Sequence, residues 1–155
     1  EMIPPFADIP RYDVLMLIRS HTRSGLLQAE SGLRGLEPHF IMPAQNTRRI
    51  GDTDRTCSAS FLFNHFVARR PAVAMEGFDR VAGWFPDKLG VDNTTLLQPL
   101  DQATSPYAFV NYVRVPGGAR SFLLAMLTRP SFYTHVRRIL RTYDMTALPL
   151  LAKPV

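Results

Sequence analysis

Residues 107–115 read YAFVNYVRV, and only Asn111 and Arg114 in that stretch are polar. Aromatic and β-branched side chains crowd it, and Pro116-Gly117-Gly118 breaks it. That combination predicts a β-strand. A strand with one wet face alternates apolar and polar residues. One that is apolar throughout must be covered on both faces. The same composition recurs upstream in 60–68, SFLFNHFVA, which ends at Arg69-Arg70-Pro71. There Phe61, Phe63 and Val67 fall on one side, and Leu62 and Phe66 on the other. Between the two strands, Met75, Phe78, Val81, Ala82 and Phe85 repeat near 3.6 residues, so 72–89 is expected to be helical, with Pro71 at its first turn. Residues 94–100, TTLLQPL, predict a further strand, with Pro99 favouring an edge or a bulge. Residues 119–143 carry two apolar helical stripes separated by Pro130, which should split the helix. Residues 146–155, TALPLLAKPV, suit a last edge strand.

From residue 60 the order is therefore strand, helix, strand, strand, helix, strand, the β-α-β-β-α-β sequence of a ferredoxin-like α+β domain. Two helices would cover one face of the sheet. The other face is also apolar, and its simplest cover is the sheet of a second copy of the chain. The first third reads differently. Residues 1–10 carry three prolines and suit an irregular arm, 12–18 (YDVLMLI) suit a strand, and 22–36 suit a short helix. Residues 37–56 hold a polar stretch and read as a long connection. The expected organisation is an N-terminal extension over 1–56 and a ferredoxin-like domain over 57–155.

Composition narrows the function. A chain of 155 residues can bury roughly 70% of its unfolded surface and needs no staples to build a core. One cysteine, Cys57, excludes an intramolecular disulfide and a multi-cysteine zinc site, and without a positioned partner it reads as inert. No HxH, HExxH or carboxylate–histidine cluster points to a metal, and no glycine-rich turn points to a dinucleotide. No apolar run approaches the roughly 20 residues of a membrane span. The expectation is a cytoplasmic protein without membrane contact. Net charge is +5 with a pI near 9.9. The arginines are scattered rather than massed, which favours a solvated basic surface over a nucleic-acid partner.

Residues 60–155 resemble the antibiotic biosynthesis monooxygenase family of the dimeric α+β-barrel superfamily. The resemblance is carried by FVNYVRV (109–115), a helix entered through Pro-Gly-Gly with Phe122 inside it, and the TRPSF break (128–132). The opening strand FLFNHFVA and the Phe78…Trp84…Gly90-Val91 run also fit. The resemblance implies a homodimer with sheets face to face, and a small-molecule pocket between sheet and helices in each subunit. It further implies cofactor-independent oxygenation of an aromatic or polyketide-like substrate. Related members cyclise or isomerise polyketide chains, and others degrade haem. Quinone-forming members place an asparagine, a tryptophan and a tyrosine in the pocket. Asn111 stands at the first position, while Val115 and Ser121 occupy the other two. On the haem-degrading pattern Asn64 matches a first-strand asparagine, and His135 is the one candidate for the helical ligand. By this resemblance the pocket would be lined by Asn64, Trp84, Phe109, Val113, Ser121, Phe122 and Met126.

Within such a pocket Asn111 could hold an enolate or carbonyl oxygen, and one such donor contributes about 3 kcal/mol. His65, with an ordinary pKa of about 6.5, is the expected general base for a phenol or an activated methylene. Asn64 and His65 are adjacent on a strand, so one of them faces the pocket and the other faces away. Tyr112 and Arg114 fall opposite Asn111, toward the dimer contact. His135, Arg138 and Arg141 share a helix face that reads as solvated. The alternatives are a cyclase or isomerase using the same base and donor without oxygen, and a non-catalytic ligand-binding protein.

Overall fold

The structure, a computed structural model, describes residues 10–53, 60–115 and 117–154. Cys57 and nearly all of the proline-rich arm lie outside them. The elements run α1 (Arg23–Arg34), β1 (Ala44–Ile50), β2 (Ser60–Ala68), α2 (Pro71–Ala82), α3 (Trp84–Leu89), β3 (Thr94–Pro99), β4 (Phe109–Val115), α4 (Ala119–Leu127), a π-helical turn (Phe132–Val136), α5 (Arg137–Thr142) and β5 (Met145–Ala152). The strands form one five-stranded sheet in the order β1-β3-β4-β2-β5, antiparallel throughout. This α+β architecture is consistent with a ferredoxin-like arrangement.

The two most apolar strands, β2 and β4, are neighbours at the inside of the sheet. Their register sets Leu62 opposite Val113, Asn64 opposite Asn111 and Phe66 opposite Phe109. These residues face the helices. Phe66, Phe78 and Phe109 form a triangle with ring centroids 4.6–5.9 Å apart, at spacings that favour edge-to-face contact. Phe109 is wholly buried there. The other face carries Phe63, Val110, Tyr112 and Leu148. Phe63 stacks on Tyr112 at 5.4 Å.

Three expectations are corrected. The first concerns the sheet's far edge. Residues 37–56 contain a strand, β1, which pairs with β3 and makes β3 internal. Pro99 is thus the last residue of an internal strand rather than an edge marker. β1 reads AQNTRRI and is mostly exposed, so as a polar edge strand it lacks the apolar pattern that would announce it. Second, 12–18 form no strand. Third, the helix expected over 72–89 is two helices, parted at Gly83, with Pro86 in the first turn of α3 where its missing N–H is not needed. On the far face, Leu15, Phe40 and Met42 of the leading segment lie against the sheet. Val14, Met16, Leu17 and Ile18 of the same segment stay exposed.

Pro130 does split the last helical region, but the chain resumes beyond it as a π turn. The Arg137 N–H closes that turn on the Phe132 carbonyl, five residues back. Among the described residues no helix is long and apolar enough to cross a membrane.

The helix layer is seated through Gly77. A Cβ there would come within 2.7–2.9 Å of Tyr143 and Met145, where α2 packs against α5 and β5. Glycine inside a helix ordinarily costs about 1 kcal/mol relative to alanine. Here the crowding costs about 1–3 kcal/mol and outweighs that gain. Gly77→Ala should therefore lower the unfolding free energy in urea by about 1–2 kcal/mol with an unchanged m-value. A stabilised variant would contradict this packing.

Candidate functional site

A cavity of about 630 Å³ opens between the helix-facing side of the sheet and the helices. That is within the range of roughly 300–1,000 Å³ typical of small-molecule sites. Its floor is Leu62, Asn64, Phe66, Asn111 and Val113 of β2 and β4. Phe78, Val81 and Phe85 close one side, and Leu123 and Met126 of α4 another. Phe132, Tyr133, Val136, Arg137 and Leu140 come from the π turn and α5. Ile50, Pro86, Tyr133 and Arg137 are exposed and mark its rim.

The polar groups of the cavity differ in what remains for a ligand. Asn111 is buried, and its amide nitrogen donates to Thr94 Oγ1 and to the Thr95 carbonyl at 3.2 Å. A primary amide has two N–H bonds, so the donors assigned to an oxyanion are already engaged in fixing β4 to β3. Asn93 donates to the Arg114 carbonyl at 3.1 Å and accepts from the Arg114 N–H at 2.8 Å. Tyr133 donates its hydroxyl to the Leu127 carbonyl at 3.0 Å. Asn64 is the exception: its Oδ1 is buried and no hydrogen bond reaches it. A buried acceptor left unpaired costs about 1–3 kcal/mol, which a donor on a ligand would recover.

Of the residues expected to line the pocket, Asn64, Asn111, Val113 and Met126 do so. The others are placed elsewhere. Phe109 and Phe122 belong to the packed core. Trp84 is buried behind the wall, 5.2 Å from Phe85 and 5.9 Å from Phe132, and its indole N–H donates to Ser131 Oγ at 3.1 Å. Ser121 is exposed and bonds the Gly117 carbonyl at the start of α4. His65 lies on the opposite face of the sheet, because strand alternation gives the cavity to Asn64. Missed altogether were Phe85, Phe132, Tyr133 and Arg137. The spacing 132, 133, 136, 137, 140 after the Pro130 break was the signal available for the last three.

His65 sits instead under the leading segment, 5% exposed, with Nδ1 unpaired. Its ring is 4.7 Å from Tyr107 and 6.1 Å from Tyr12, and the two tyrosine hydroxyls are 3.1 Å apart. Burial pushes its pKa below the ordinary value, against the opposing influence of the Leu148 and Phe63 backbone. Burial, then the Tyr12 hydroxyl, raises that of Tyr107. This cluster ties the leading segment to the sheet and has no access to the cavity. Among the described residues no group of three histidine, cysteine or acidic side chains could hold a metal.

No protein-family model matches the chain, and no curated protein matches it. Its fold is similar to the solved structure of a major regulator of staphylococcal pathogenesis, with a TM-score of 0.50 over 86% of this chain and 94% of that one. Sequence identity is 11%, so the likeness is one of fold alone.

The placement of His65 makes stability depend on pH. The unfolded chain takes up a proton near pH 6.5, whereas the folded chain resists it. Stability should be complete above that value and fall as pH drops below it, by no more than about 1.4 kcal/mol per pH unit. Urea unfolding at pH 7.5 and 5.5 should show this loss in the wild type and a smaller one in His65→Gln. Equal losses in the two proteins would contradict it.

Proposed function

We propose that the chain binds a small, largely apolar molecule of aromatic or polyketide-like character in the cavity between sheet and helices, with Asn64 as the polar contact that orients it. The observation that carries this reading is the unpaired Asn64 Oδ1 in a mostly apolar wall whose other amides are engaged in hydrogen bonds. The ligand chemistry that completes it is an O–H or N–H donor on a flat hydrophobic body.

Oxygenation, cyclisation or isomerisation by a base on the protein fits the site less well. Among the described residues the cavity wall holds no histidine, carboxylate, lysine or cysteine; its ionisable side chains there are Tyr133 and Arg137. Enolisation needs a proton acceptor whose pKa is matched to the task, and neither serves. The wall supports the ligand-binding reading best. It leaves cofactor-independent oxygenation only to a substrate acidic enough to ionise unaided.

Calorimetric titration with 2-naphthol and with naphthalene tests the reading. The wild type should bind 2-naphthol, and Asn64→Leu should weaken it about tenfold while leaving naphthalene unchanged. Equal loss of both, or of neither, would remove Asn64 from the site.

A further inference from the structure

We infer that the ligand of this cavity is an organic anion, with a carboxylate or similar oxyanion held at the rim by Arg137. The inference rests on the cavity being a ligand site and adds the charge of what it takes.

Among the described residues Arg137 is the one charged side chain on the cavity wall. Among the described residues no acidic side chain lines the cavity to neutralise it and its guanidinium has no carboxylate partner; it lies 5.7 Å from the centroid of the Tyr133 ring. That contact restrains the cation without consuming its N–H donors. The π turn delivers it. By closing five residues back rather than four, the turn enters α5 with Tyr133 and Arg137 both at the rim while Phe132, Val136 and Leu140 complete the apolar wall. Such turns recur at functional sites because the extra residue re-aims side chains without ending the helix. A planar guanidinium over an apolar cavity suits a carboxylate, which it can engage through two N–H bonds. The opposite end of the ligand meets Asn64, so the geometry points to a molecule with a hydrophobic middle, an anionic head and a donor at its far end.

The test is a matched pair of probes, 2-naphthoate and 2-naphthamide, titrated into the full chain by calorimetry. They share one aromatic body and differ in charge. Arg137 is exposed, so Arg137→Gln and Arg137→Lys should fold normally, as circular dichroism will show. The wild type should bind 2-naphthoate about fivefold more tightly than 2-naphthamide, an advantage of the size expected for a solvent-exposed ion pair. Raising the salt concentration should shrink it. Arg137→Gln should lose the preference with no change in 2-naphthamide affinity, and Arg137→Lys should keep part of it. Equal affinities for the two probes in the wild type, or a preference that survives in Arg137→Gln, would overturn the inference and leave the cavity reading standing. Failure of both probes to bind would overturn the cavity reading and this inference with it.

Discussion

β2 and β4 bury side chains on both of their faces, and the rest of the molecule is arranged to satisfy that. Each phenyl or large aliphatic group taken out of water contributes about 1.5–3 kcal/mol, and these two strands carry Phe61, Phe63, Phe66, Phe109 and Tyr112 among them. On one side α2 to α5 form the cover. On the other, Leu15, Phe40 and Met42 of the leading segment do so, pinned by Tyr12 against Tyr107. The two covers differ. The leading segment packs down on its face, whereas the helices span theirs and leave a cavity.

The two opposed amides on that cavity floor are alike in sequence and different in role. Asn111 spends its donors on β3 and holds the sheet together. Asn64, directly across the ladder, has no such neighbour, because β5 opposes it with Pro149, which has no N–H to offer. The unpaired amide oxygen thus belongs to the residue whose neighbours offer it no donor.

The sheet was legible in the sequence because β2 and β4 are apolar at every period and the breaks after them are strong. The face assignment followed from alternation, which is why either Asn64 or His65 had to leave the pocket. What chose Asn64 was the tertiary cover on each side, and no local pattern encodes that. β1 was hidden because an exposed edge strand has no burial to record, and AQNTRRI reads as a loop. The π turn was hidden because an insertion of one residue changes the phase of a helix without changing its composition. Trp84 and Phe122 were placed in the pocket by resemblance, and nothing local corrects that, because a buried helix face does not separate the residues that fill a core from those that border a cavity.

The most direct test of the account is to observe the Asn64 side-chain amide by nuclear magnetic resonance while 2-naphthol is added. The account predicts that the Asn64 amide signals and the methyl groups of Leu62 and Val113 shift together and saturate, while the rings of His65 and Tyr107 on the other face stay unmoved. Shifts confined to His65, Tyr107 and Tyr12, with Asn64 silent, would place the ligand under the leading segment and contradict it.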